Sequence, residues 1–215
     1  MVYITSVFED GKAEWTAAFP TFGKAEEETL SRLFSTVQHE CFEPTPSGYE
    51  LSEWKEWCAK GDQFSLKVRK ESPAVTKYCI VNRAVSLGSS FMKLDAIVVG
   101  VDEVVSGPLW VVSAVNGIYP KIPGVYRSRK DAEQAAKSFL LSKLQRRHID
   151  APKSDDVSEW QDWAKKKGMS FSCAKTTCIS VCVQEGWPII RYNLFDGQHR
   201  KDVVITQCEL EDLPF

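Results

Sequence analysis

The sequence predicts an α+β protein made of two tandem β-β-α-α-β-β-β units, residues 1–106 and 107–215, each with two helices packed on a mostly antiparallel sheet. Three observations predict it. Leu51-Ser52-Glu53-Trp54-Lys55-Glu56-Trp57 returns 106 residues later as Val157-Ser158-Glu159-Trp160-Gln161-Asp162-Trp163. Around that echo, strand-like and helix-like periodicities alternate in the same order in both halves. Only Ser106-Gly107-Pro108 separates the copies. So short a connection predicts units that pack about a pseudo-two-fold, with edge-to-edge joining of the sheets as one way to do it.

Each element has a local reason. Val2–Val7 and Leu109–Ala114 are rich in strand formers and read as first strands. A second extended piece follows, Trp15–Phe19 in one copy and Gly124–Tyr126 in the other. A helix comes next, with Thr21 or Ser128 as the side-chain cap at its start. Leu30, Leu33, Phe34 and Val37 fall at the spacing of one buried helical face, as do Ala132, Ala135, Ala136 and Phe139. Pro-bearing loops, 43–48 and 151–156, lead to the Trp-x-x-Trp helices. Those helices are expected to be capped by Ser52 and Ser158, and to stop at Gly61 and Gly168 in the left-handed cap conformation. Alternation marks strands at Phe64, Leu66, Val68 and at Ile179, Val181, Val183, and Asp95–Val99 and Asp202–Thr206 close the units.

Composition bounds the function class. With 43% hydrophobic and 26% charged residues and a pI near 6.0, the chain is ordinary for a soluble globular protein. No apolar run approaches the roughly 20 residues of a spanning helix, and Met1–Thr5 shows no signal-peptide pattern. Seven cysteines, an odd number, suit a reducing compartment, so a cytoplasmic or nuclear setting is expected, with no membrane partner. Charge is divided unequally. Residues 1–106 carry 11 Lys/Arg and 16 Asp/Glu, a net of −5; residues 107–215 carry 16 and 13, a net of +3. Such polarity orients two chains head to tail, or presents one basic face to an acidic partner.

The tryptophans are the first binding candidates. Trp54 and Trp57, like Trp160 and Trp163, share a helix face and make one broad aromatic surface. That surface is either packing, with one tryptophan filling the core beneath the sheet and the other at the junction between the copies, or a stacking platform for bases, sugars or an aromatic ligand; both copies retain the pair, which fits packing better. The second candidates are basic. Arg127, Arg129 and Lys130 open one helix, Arg146 and Arg147 end it, and Lys165-Lys166-Lys167 end the next. If these converge they can track a phosphate backbone, although the acidic first half argues against strong nucleic-acid binding.

Cys173, Cys178, Cys182 and Cys208 form no CxxC knuckle and read as buried small hydrophobes, so no metal is expected. No phosphate-binding, dinucleotide or hydrolase fingerprint is present, so no cofactor is expected and the sequence leaves enzymatic activity undecided. Should a reaction occur in a cleft between the copies, polar residues found in one copy only are its candidates: His199, Arg191, Asp196 and Cys182.

Trp110-Val111-Val112-Ser113-Ala114-Val115-Asn116-Gly117, followed by Pro123-Gly124-Val125-Tyr126-Arg127-Ser128 and a helix, resembles the start of the viroplasmin-like module. That module also serves as the amino-terminal hybrid-binding domain of some ribonucleases H. The resemblance covers residues 109–140 and implies binding to double-stranded RNA or RNA–DNA hybrid. Arg129 stands where the module has a tryptophan, and the first copy has no Pro-Gly-Val-Tyr.

The expectation is therefore a non-enzymatic binding or interaction protein. Its protein partner or small ligand sits at the repeat junction or on the basic face of the second repeat. An enzyme with a site between the repeats and a nucleic-acid binder are the alternatives.

Overall fold

The computed structural model describes residues 1–41, 44–83, 93–102, 107–116, 119–154, 156–166, 179–186, 189–196 and 200–208. These form two compact units, Met1–Gly107 and Pro108–Cys208. The first contains β1 (Val2–Glu9), β2 (Lys12–Phe19), α1 (Phe22–Glu40), α2 (Leu51–Lys60), β3 (Phe64–Ser72), β4 (Val75–Asn82) and β5 (Lys93–Val101). The second contains β6 (Leu109–Asn116), β7 (Tyr119–Tyr126), α3 (Arg129–Arg147), α4 (Val157–Lys166), β8 (Ile179–Gly186), β9 (Ile189–Asp196) and β10 (Arg200–Cys208). This is an α+β fold with two antiparallel sheets, ordered β2-β1-β5-β4-β3 and β7-β6-β10-β9-β8.

The two sheets share their register as well as their order. Tyr3 faces Phe19 as Trp110 faces Tyr126. Thr5 faces Val98 as Val112 faces Ile205. Tyr78 faces Ala96 as Tyr192 faces Val203, and Phe64 faces Asn82 as Ile179 faces Asp196. A one-residue slip in any strand would send its side chains to the other face, so matching registers mean matching cores.

In the first unit β1 turns into β2 through Asp10-Gly11, both at positive φ (45° and 81°). Two such residues make the tight turn that suits twisted antiparallel strands, and Asp-Gly is a pair that tolerates it. Asp10 also ties this turn to β5, its carboxylate accepting from the Lys93 N–H at 2.9 Å. Gly107, at φ 103°, marks the boundary between the units, in backbone space that disfavours a Cβ.

Helix α1 buries Ala25, Thr29, Leu30, Leu33, Phe34 and Val37, so its expected apolar stripe is the observed one. Thr21 caps it, accepting from the Lys24 N–H at 3.2 Å, and Ser128 caps α3, accepting from the Asp131 N–H at 3.1 Å. Three local expectations need correction. The buried stripe of α3 is Ala132, Ala136 and Leu140; Ala135 and Phe139 are half-buried beside it. With alanine at three of its first eight positions, that helix offers two apolar faces of similar size, and the sheet beneath selects between them. Ser52 and Ser158 are not caps. Glu50 occupies the cap position of α2, and the Asp156 carboxylate accepts from the Ser158 N–H at 2.8 Å to cap α4. Gly61 ends α2 with φ −98° and ψ 154°, an extended conformation rather than a left-handed one; Gly168 lies outside the described residues.

Each core lies between the helices and one sheet face. In the first unit it joins Val7, Phe19, Leu33, Phe34, Trp54, Phe64, Tyr78, Ile80, Leu94 and Val98. In the second it joins Val112, Ala136, Leu140, Trp160, Ile190, Val203 and Ile205. The opposite sheet faces are apolar and buried as well, at Ile4, Phe8 and Ile97 and at Val111 and Val204. For that reason Ala96–Val99 of β5, Leu109–Val112 of β6 and Val203–Ile205 of β10 read as unbroken apolar runs.

One polar pair is special to the first core. Thr5 Oγ1 and Thr29 Oγ1 lie 2.6 Å apart, fully buried, and Thr29 donates to the Ala25 carbonyl at 2.5 Å. The matching positions of the second unit are Val112 and Ala136, also fully buried. Thr29→Ala alone strands the Thr5 hydroxyl, and is expected to destabilise by about 1–3 kcal/mol. Thr5→Val with Thr29→Ala copies the second unit's solution and should be near neutral. Urea titrations of the double-mutant cycle check this; a double variant as weak as the sum of the singles would contradict it.

Candidate functional site

The tryptophan pairs are built alike. Trp54 and Trp160 are 0% and 1% exposed, and present no ring face to a ligand. Each anchors the loop before its own helix through an indole N–H, Trp54 to the Gly48 carbonyl and Trp160 to the Ser154 carbonyl, both at 2.7 Å. The loops are fixed a second time from the preceding helix: Gln38 donates to the Pro46 carbonyl at 2.8 Å, and Gln145 to the Pro152 carbonyl at 3.0 Å. Sequence reasoning missed these glutamines. Their only signal was that a polar residue recurs at the same step of both long helices.

The outer tryptophans, both half-buried, differ. Trp57 donates to the Pro44 carbonyl at 2.9 Å and stacks on Phe64, with ring centroids 5.6 Å apart. Trp163 has His148 edge-on at 5.4 Å, and its buried indole N–H finds no acceptor among the described residues. Beside Trp57 lies a cavity of about 200 Å³, lined by Trp57, Cys58, Lys60, Gly61, Gln63 and Phe64. Burial pushes the Cys58 thiol up to about 11, so this wall is uncharged near neutral pH.

The basic candidates do not converge as a single group. Arg127, Arg129 and Lys130 are exposed at the start of α3, while Arg146 is exposed at its end, about 25 Å away along a helix rising 1.5 Å per residue. Arg129 is also engaged, its Nε donating to Glu133 at 2.6 Å. Of the lysines that end α4, Lys165 and Lys166 are exposed, and Lys167 lies outside the described residues. A different set of charges interacts instead: Lys143 of α3 feels Arg146 on its own helix and Lys121 on β7, the strand that precedes it. Partial desolvation, then the charge of Arg146, then that of Lys121, lower the pKa of Lys143. The Lys143 ammonium sits 5.1 Å from the centre of the Phe139 ring. None of the three has an ion pair among the described residues. Lys121 escaped sequence reasoning because it sits more than 20 residues from its neighbours.

The catalytic candidates Cys182, Arg191 and Asp196 lie on two neighbouring strands. Arg191 and Asp196 lie on β9, five positions apart, which separates their backbones by about 17 Å along the strand. Cys182 lies on β8 opposite Asn193, while Asp196 is opposite Ile179. His199 lies outside the described residues. Cys208 is buried, and burial pushes its thiol up to about 12. Among the described residues, no three His, Cys, Asp or Glu side chains gather as metal ligands, and no helix is long and apolar enough to cross a membrane.

Two buried ionisable groups belong to the first unit's frame. Tyr78, 1% exposed, donates to Glu26 at 2.5 Å, and burial followed by that carboxylate drives its hydroxyl pKa far up. Asp95, 6% exposed, lies 2.5 Å from the Lys93 ammonium and beside Cys79. Burial outweighs both partners and raises the Asp95 pKa. The folded protein thus holds this proton more tightly than the unfolded chain. The resulting stabilisation is complete below the ordinary aspartate pKa, and is lost as pH rises through the raised one. Asp95→Asn should therefore gain on the wild type as pH rises from 4 towards 7. Urea midpoints at both pH values check the sign, and a gap that widens on acidification would contradict it.

No family model matches the chain, and no curated protein or solved structure matches it.

Proposed function

We propose that this chain is a non-catalytic binding protein built by duplication of one α+β unit, and that the second unit engages an acidic partner through Lys121, Lys143 and Arg146. The convergence of those cations carries the reading. Lys143 of α3 feels the positive charges of Arg146 and of Lys121 from β7, and none of the three has an ion pair among the described residues. A structural role leaves that repulsion unrelieved; an anionic partner relieves it. The same steps of α1 carry Thr36 and His39, so the feature is particular to one copy. Shared sheet registers and the paired Trp and Gln hydrogen bonds support duplication, and the pseudo-two-fold relation belongs to the same proposal.

A nucleic-acid partner is the second reading. It is favoured by the separate cations Arg127 and Lys130 at the far end of α3, which give two positive groups along one helix. Anisotropy titrations with a labelled polyglutamate peptide and a labelled RNA–DNA hybrid decide between them. Polyglutamate binding that weakens with salt is the expected result. Tight hybrid binding, with a log–log salt slope near −0.7 to −0.9 per phosphate contacted, would move the assignment to nucleic acid. Binding of neither probe, or binding indifferent to salt, overturns the proposal.

A further inference from the structure

We infer that a second copy of this chain is one partner of that surface, with Ile149 of one molecule docking in the Trp57–Phe64 cavity of another. The inference rests on reading the second unit's basic surface as an interaction surface. Ile149 is the most exposed large apolar residue described, at 101%. It is not a loose end. The Ala151 N–H donates to the His148 carbonyl at 3.0 Å, closing a tight turn with Ile149 at its tip. One flank is fixed by His148 against Trp163, the other by Ala151, which is buried in the core. A side chain presented this way loses little freedom on docking, so more of its burial is retained as affinity.

The cavity matches in size and character. About 200 Å³ accommodates a four-carbon side chain, with Phe64 (1% exposed) as floor, Trp57 as one wall and the neutral Cys58 thiol as another. The charges match too. Ile149 follows Lys143 and Arg146, which lack ion pairs among the described residues. The cavity is flanked by Glu53, one helical turn before Trp57, and by Asp62, directly after Gly61. Both carboxylates are exposed and lack ion pairs among the described residues, whereas Lys60 of the lining is held by Glu56 at 2.7 Å. The net charges of the halves, −5 and +3, reinforce the same orientation. Each molecule offers one protrusion and one cavity, so association either pairs two molecules reciprocally about a two-fold or propagates head to tail.

Sedimentation velocity on the full chain, across a wide concentration range and two salt concentrations, tests the inference. The wild type is expected to form dimers and larger species that recede with salt, while Ile149→Asp stays monomeric under the same conditions. Cys58→Arg fills the cavity and should also be monomeric, yet should form a one-to-one pair with Ile149→Asp, since the mixture holds one intact protrusion and one intact cavity. If Cys58→Arg fails to fold by circular dichroism, the exposed Asp62→Lys replaces it, expected to weaken association and to regain it when combined with Arg146→Glu. A wild type that stays monomeric throughout, or association unaffected by Ile149→Asp, overturns the inference. A chain that binds polyglutamate but remains monomeric keeps the acidic-partner surface and loses this occupant; a chain that does neither loses both.

Discussion

Trp54→Ala is expected to destabilise the first unit by about 3–5 kcal/mol, the range for removing a large aromatic side chain from a packed core. Three losses add to reach it. The ring is 0% exposed and stacks on Phe34 at 4.2 Å with a 6° interplanar angle, so burial and ring stacking both vanish. Trp57 loses its edge-on neighbour at 5.4 Å, and with it part of its own support. The Gly48 carbonyl loses its indole donor, which frees one of the ties on the loop between α1 and α2, leaving those of Gln38 and Trp57. Trp54→Phe separates these terms. It retains most of the apolar contact and gives up the hydrogen bond, so a cost near 1–2 kcal/mol is expected. Trp57→Ala should also cost less than Trp54→Ala, because that side chain is only half-buried. Thermal unfolding reads the difference readily, since each kcal/mol moves the midpoint by about 4–8 °C in a unit of this size. A Trp54→Ala midpoint within a few degrees of wild type would mean that the ring is not a core element.

That contrast between the two tryptophans of a pair shows where sequence reasoning succeeds and where it stops. The echo of Trp-x-x-Trp located both short helices, and the strand patterns placed Val2–Val7 and Asp95–Val99 against their second-copy partners with the offsets that the sheets show. Such features are legible because they are periodic, and periodicity is what burial on one face writes into a sequence. Helix ends were less legible. A serine in the first turn resembles a cap, yet Glu50 and Asp156 hold those positions, because loop length decides which residue arrives at the turn. The charge arrangement was least legible. Arg146 was visible, but Lys121 acts on the same Lys143 only once β7 and α3 lie side by side, and Arg129 is set apart only once Glu133 is seen to hold it. The sequence pattern expects one tryptophan of each pair in the core, and does not say which; Trp54 and Trp160 fill that place. The shared helix face of Trp54 and Trp57 is real, but one ring lies under the helix and the other at its margin.

Lys143→Thr with Arg146→His is expected to weaken polyglutamate binding about tenfold or more while leaving the fold unchanged. The choice of residues comes from the other copy. Thr36 and His39 occupy the same steps of α1, so a helix of this length in this setting already tolerates both side chains. Stability should hold, because both side chains lie at the helix surface and neither has an ion pair among the described residues. Affinity should fall. Each cation facing an acidic partner at an exposed contact contributes about 0.7–1 kcal/mol, the upper part of the range for exposed pairs, so two lost together amount to roughly a factor of ten to thirty. The salt dependence should flatten with them, since fewer charges meet across the contact. Arg129→Gln is the matched control: its guanidinium is already paired with Glu133, so its loss should change affinity by less than about threefold. Equal losses from the double variant and from Arg129→Gln would mean that net charge alone attracts the probe. A large loss confined to the double variant places recognition at the meeting of β7 and α3.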